Sequence, residues 1–284
     1  MSQIQRGFSR VFLHTFLILI ALLWLLPTVG VLITSFRTAP DVAQSGWWTI
    51  FKDPLHQKFT LDGYLQVLTR GNMGKAFLNS FIVTIPSTVL PILLAAFAAL
   101  AFAWMKFPLR MPLLAITIAL VSVPLQATVI PILTAYNKIG LTGTFYGTWL
   151  VHAGYGLPLI IYFLYSFFRD LPHDLVDSAS IDGASTFQTL YHIILPLSIP
   201  ALASITIFQF LWVWNDLFVA LLYLGGNPNV APMTVTLSTL VGSRGQGWEL
   251  LTAAAFISSS VPILVFFLLQ RYFVRGILAG SIKA

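Results

Sequence analysis

Asp177-Ser178-Ala179-Ser180-Ile181-Asp182-Gly183-Ala184 runs on through Ser185-Thr186-Phe187-Gln188 and closes on Ile193-Ile194-Leu195-Pro196. It is a polar stretch between greasy ones. Asp170 can cap a helix start, and Pro172 suits a first turn because the amide it removes would be unpaired there. Leu171, Leu175, Val176 and Ala179 then fall near one helical face. Asp182-Gly183 is a turn signal, since glycine tolerates the left-handed conformation that ends helices. Ser185 and Gln188 have capping-box spacing, and Phe187, Leu190, Tyr191 and Ile194 share the face that follows. Helix, glycine turn, helix is the reading for residues 169–198.

The surroundings are quite different. Of 284 residues, 57% are hydrophobic and 8% charged, where a soluble domain carries roughly 25% charged residues. An integral membrane protein follows. The net charge of +6 is spread along the chain, which fits membrane surfaces and gives no basis for nucleic-acid binding. With no cysteine, disulfides and thiolate chemistry are excluded.

Spanning a core of about 30 Å takes roughly 20 apolar residues in a helix. Runs at about 11–36, 77–105, 111–136, 146–168, 199–224 and 250–273 qualify, so the fold class is an all-α membrane protein with six transmembrane helices. The whole of 1–284 reads as one transmembrane domain, with the polar loop 169–198 between spans four and five. The first run exceeds the apolar core of a signal peptide, about 7–15 residues, and reads as a retained span. Prolines inside the runs read as kinks that neighbouring helices tolerate.

An even span count puts both termini on one side. With the N-terminus in the cytoplasm, eight of the 15 basic residues fall inside (Arg6, Arg10, Lys106, Arg110, Arg169, Arg271, Arg275 and Lys283). They cluster at span ends. The external connection 38–75 carries Trp47, Trp48 and Phe51, then Leu61, Tyr64, Leu65 and Leu68 at helical spacing. Both an interfacial amphipathic helix and a loop with its own small core fit that pattern.

Asp216 is the single carboxylate well inside a run, where charge is costly and faces protein or water. On a continuous helix Gln209, Trp212 and Asp216 stack on one face with Asn215 at its flank, and Trp214 points away. An aromatic face beside convergent hydrogen-bonding groups can line a sugar path, and the same residues can equally bond across a helix interface. Gln126, near Pro124, is a lesser path candidate. His14, His56, His152, His173 and His192 show no metal-ligand spacing, so no metal site is expected. No G-x-x-x-x-G-K-[ST] motif occurs, so the chain is not expected to be an enzyme that hydrolyses ATP.

The polar stretch resembles the "EAA" loop of ABC-importer permeases. Asp177-Ser178-Ala179 stands at the Glu-Ala-Ala positions, Gly183 at the glycine and Ile193-Ile194-Leu195-Pro196 at the close. Asp replaces Glu and Ser replaces the first Ala, both conservative in charge or size. Asn79-Ser80, Trp214-Asn215-Asp216 and the ending Gln270-Arg271-Tyr272-Phe273-Val274-Arg275-Gly276 through Ala279-Gly280-Ser281-Ile282-Lys283 are similar to carbohydrate-uptake permeases of maltose type, in their shorter six-span subunit. Val241-Gly242-Ser243-Arg244-Gly245-Gln246 before Trp248 looks like permeases for α-glucosides or glucosylglycerol.

What the resemblance implies is a multi-pass subunit of a bacterial or archaeal cytoplasmic membrane, both termini inside. Its partners would be a second homologous permease, an ATPase dimer that binds ATP and Mg, and an extracytoplasmic sugar-binding protein. Asp177, Ser178, Ala179, Asp182, Gly183, Ala184, Phe187 and Pro196 would couple to the ATPase, and Gly280, Ser281 and Lys283 in the tail would reach it. Two other classes remain: an ion-coupled secondary transporter, and a membrane-embedded enzyme using Asp216 with a histidine.

Overall fold

The computed structural model describes residues 3–54, 57–69, 72–240 and 247–281, with side chains from Arg10 to Gln270 within those ranges. It is helical nearly throughout. The elements are α1 Gln3–Ser35, α2 Ala39–Gln44, a 3₁₀ turn Trp47–Phe51, α3 Asp62–Thr69, α4 Met73–Trp104, α5 Arg110–Val121, α6 Leu125–Lys138 and α7 Phe145–Arg169. There follow α8 His173–Ile181, α9 Thr186–Thr189, a π turn Leu190–Ile194, α10 Leu195–Leu197, α11 Ile199–Trp214, α12 Phe218–Leu224, α13 Met233–Ser238 and α14 Trp248–Ser281. The β contact among the described residues is an isolated bridge between Arg37 and Phe59.

Among the described residues four helices are long and apolar enough to cross a membrane, or up to six if each of two bent pairs counts as one crossing. Two runs expected to be continuous from the sequence are interrupted. Residues 111–136 are two helices, α5 and α6, meeting at 100°. Pro124 offers no amide and pushes the residue before it out of helical geometry, so the apolar run breaks there. Residues 199–224 divide at Asn215–Leu217, because the Asp216 carboxylate takes the amides of Val219 and Ala220 and starts α12 afresh. A further bend of 78° separates the 186–197 segment from α11.

The chain forms two compact units, Met1–Gly74 with Leu237–Ser259, and Lys75–Thr236 with Ser260–Ala284. In the first, α1 presents Val11, Phe12, Leu22, Leu23 and Trp24 outward. From Val11 onward this helix carries no charged residue, and exposed side chains of that type suit an apolar environment such as a membrane. On α3, Gly63 and Val67 turn inward while Leu65 and Leu68 are exposed, as is Leu61 just before it, and the Tyr64 hydroxyl meets Ser35 Oγ at 2.7 Å.

In the second unit the core is built on α7, which packs against α5, α11 and α12. Ala95, Ala96 and Ala99 of α4 offer a low surface on which Ile160, Leu164 and Phe168 seat. Gly156 has the same use at closer range: a Cβ there would lie 2.6 Å from Gln209 Oε1. Asn79 Nδ2 donates to the carbonyls of Asn229 and Ala231, and Ser80 Oγ accepts from Met233 N, so the 227–233 connection is laced onto α4. Trp214 is buried among Phe77, Phe81 and Phe210.

Candidate functional site

The polar hairpin is closed by local caps and backbone bonds. Asp170 ends α7 rather than opening the next helix, and α8 starts directly after Pro172, without a side-chain cap. At its other end Gly183 adopts φ +79°, Gly183 N donates to Ser180 O and Ala184 N to Ala179 O. Those two bonds form a Schellman close, which requires a residue free to take positive φ. Ser185 N then donates to Gln188 Oε1 at 2.8 Å and Gln188 N to Ser185 Oγ at 3.3 Å, both bonds of a capping box. Pro196 cannot donate to the ladder; just before it the helix widens by a residue, with Leu195 N bonding Leu190 O.

The hairpin has two faces. Ala179, Leu190 and Ile194 are buried, the last two in the cluster that holds Leu164 and Phe168 of α7. Ile181 is 86% exposed, and Phe187 and Tyr191 are 62% exposed. Asp177, Ser178 and Asp182 surround them at the surface, with Ser178 Oγ bonded back to Asp174 O. Phe187 also stacks on Phe97 of α4 at 6.4 Å between ring centres.

A cavity of about 580 Å³ opens between the α5–α6 bend, α7 and α11. Trp212 lines it together with Tyr136, Tyr155 and Thr128, and no charged side chain does. The Tyr155 hydroxyl meets Thr128 Oγ1 at 2.8 Å, and the Tyr136 ring sits edge-on to Tyr223. Both tyrosines lie in predicted spans but were not among the expected path residues; a hydroxyl amid an apolar run is the sequence signal that could have pointed to them. Of the residues expected on a sugar path, Trp212 lines this cavity. Gln209 is buried instead, bridging to α4 through a bond from Nε2 to Ser87 O at 3.1 Å. Asn215 donates back to Leu211 O, and Gln126 is exposed in the first turn of α6, away from the cavity lining.

Asp216 has left the α11 face altogether. Its carboxylate caps α12, accepting from Val219 N at 3.3 Å and Ala220 N at 2.9 Å, and its carbonyl accepts from Thr234 Oγ1. Oδ2 lies 3.5 Å from Nε2 of the fully buried His152, whose ring sits edge-on to Trp212. The cavity wall and the start of α12 thus share one histidine. Among the described residues no three His, Asp or Glu side chains converge as metal ligands. Gly280 and Ser281 occupy the last turn of α14, described by their backbone, while Lys283 and residues 241–246 lie outside the described residues.

Apolar helices around an uncharged aromatic cavity, joined through a buried seat to a capped polar hairpin, define the membrane permease class of transport proteins. The chain belongs to the family described as "Binding-protein-dependent transport system inner membrane component", which it matches over residues 89–279. It is an ABC-transporter permease subunit and not an enzyme; ATP hydrolysis belongs to separate subunits.

The chain is 55% identical over 273 residues to the osmoprotective compounds uptake permease protein GgtD of Synechocystis sp., covering 96% of this chain and 92% of that protein. It is 54% identical over 231 residues to the alpha-glucoside transport system permease protein AglG of Rhizobium meliloti, covering 80% of this chain and 61% of that one. The trehalose/maltose transport system permease protein MalG of Thermococcus litoralis is 31% identical, with 97% of each chain covered. The fold is shared with a chain of a bacterial ABC transporter involved in the import of the acidic polysaccharide alginate, at TM-score 0.75 and 21% identity, over 96% of this chain and 99% of that one.

Proposed function

We propose that this chain is one transmembrane half of an ATP-driven importer of sugars, with an α-glucoside or a related glucosylated solute as cargo. It crosses the membrane six times with both termini cytoplasmic, as a single working domain. A second homologous permease completes the translocation path, a sugar-binding protein delivers cargo from outside, and a dimer of ATPase subunits holds the hairpin. The cargo class rests on the relatives that transport α-glucosides, trehalose or maltose and osmoprotective compounds. The uncharged, aromatic lining of the cavity suits a neutral glycoside, whose faces stack on rings and whose hydroxyls seek partners such as Thr128 and Tyr155.

One observation carries the coupling role: Ile181, Phe187 and Tyr191 stand in solvent within the polar hairpin, while Leu190 and Ile194 of the same hairpin are buried in the core. Exposed apolar groups rimmed by Asp177, Ser178 and Asp182 make a docking surface. A displacement imposed there passes through the buried seat to α4 and α7, because a packed core moves as a body. Gly183 and Ala184 hold the tip in shape, Pro196 fixes the return, and Gly280, Ser281 and Lys283 add a tail contact. Ile181→Asp combined with Phe187→Asp tests this, since both positions are open enough to leave folding intact. The ATPase should no longer copurify and uptake should stop. Retention of both would disprove the docking role.

A further inference from the structure

We propose, resting on the sugar-importer reading, that the cavity at the break between α5 and α6 is a cargo subsite belonging to this chain. It seats the ring of a neutral glycoside against Trp212, with Tyr155 bonding its hydroxyls. The break stands at the middle of the apolar run 111–136, where α5 ends at Val121 and α6 begins at Leu125. Between them the carbonyls of Val121, Ser122 and Val123 accept no hydrogen bond among the described residues, and the Leu125 amide donates none. All three of those residues are exposed. At membrane depth, unpaired irregular backbone is tolerated where it is covered by protein or lines water, never against hydrocarbon. This chain does not cover it. Val121 and Val123 line the cavity, so the break fits the wall of an aqueous path.

The same cavity gathers what a sugar ring needs. Trp212 is 37% exposed, although Val213 and Trp214 beside it are buried, and its ring is held by the fully buried His152 at 5.4 Å between centres. Thr128 Oγ1 spends its one hydrogen on Leu125 O at 2.9 Å. The 2.8 Å contact between Thr128 and Tyr155 is therefore donated by the tyrosine, whose oxygen keeps acceptor capacity for a sugar hydroxyl. An aromatic surface beside a fixed acceptor matches the two sides of a glycoside, the C–H face and the hydroxyl edge. The volume of about 580 Å³ falls within the range of small-ligand sites, roughly 300–1,000 Å³. Few polar groups and no charge make for weak binding, which suits a passage that must also let its cargo go.

The chain has no cysteine, so a single Val123→Cys reports on this wall alone. The intact importer carrying it is treated with a charged, water-soluble methanethiosulfonate reagent, and the unsubstituted importer gives the background. The reagent should label Val123→Cys, and excess maltose or trehalose should slow labelling severalfold. Adding Tyr155→Phe should raise the sugar concentration needed for protection about fivefold, the worth of one hydrogen bond. Adding Trp212→Ala should abolish protection while labelling itself continues. Failure of the reagent to react would mean that lipid or the second permease covers the break, and overturns the proposal. Labelling that neither sugar slows, or protection undiminished in Trp212→Ala, overturns it as well. Uptake of the same two sugars by the unsubstituted importer in proteoliposomes is measured alongside. Uptake without protection removes the subsite alone; no uptake of either sugar removes the importer reading and the subsite with it.

Discussion

His152 and Asp216 meet at 3.5 Å across the α7–α12 contact, and the arrangement fixes where hydrogens sit. His152 Nδ1 lies 2.9 Å from Thr148 O, and a carbonyl can only accept, so Nδ1 carries a hydrogen. In the neutral ring Nε2 would then turn a lone pair toward a carboxylate oxygen. Nε2 accordingly has no hydrogen-bond partner, although the carboxylate lies beside it.

Asp216→Ala should therefore be costly for two reasons. It frees the amides of Val219 and Ala220 and takes the carboxylate from a buried imidazole. The expected loss is about 1–3 kcal/mol, seen as a lower Tm of the purified complex. Asp216→Asn keeps one acceptor for the amides and should fall in between. Should alanine and wild type melt together, the cap is not holding α12.

Gly156 and Gln209 form a coupled pair. Gly156→Ala drives a Cβ into the Gln209 amide, and displacing that amide breaks its bond to Ser87 O. Overpacking of this kind costs roughly 1–3 kcal/mol. In Gly156→Ala combined with Gln209→Ala the clash is gone, so the double variant should be more stable than the sum of the singles predicts. Strict additivity would show that the two side chains do not share the space.

Gly183→Val separates shape from packing. Nothing lies within 4 Å of a Cβ at this position, so the cost is backbone strain at φ +79°, about 1–2 kcal/mol. The chain should still fold and insert. The Schellman close should loosen, and hydrogen exchange at Ala184 should rise; an unchanged exchange rate there would mean that the turn survives substitution.

Asn79→Ala removes two bonds, leaving the carbonyls of Asn229 and Ala231 without their donor. Faster exchange is expected at Met233 N, which Ser80 Oγ holds beside them, with a stability loss of about 1–3 kcal/mol. Local loosening without any change at Ala184 would show that the two ends of the unit are independent.

The hairpin was legible because its instructions are short-range. Ser185 and Gln188 sit three residues apart, and Gly183 marks the one place where positive φ is demanded; neither needs the rest of the chain. The apolar runs were legible as helices for the same reason. Their interruptions were not. A run of apolar letters does not say whether Pro124 kinks a helix or divides it at 100°, nor that Asp216 will abandon its helix to cap the next.

Sequence by itself determined the class: an uncysteined, charge-poor chain of apolar helices carrying one capped polar hairpin, since hydropathy and local capping act within a few residues. Only tertiary structure decided which side chains share a site. It buried Gln209 against Gly156, opened Trp212 to Tyr155 and Thr128, and set Asp216 beside His152, 64 positions away by the difference of their numbers. Those meetings depend on how separate helices pack, and one-dimensional spacing does not encode which face a broken helix turns to its neighbour.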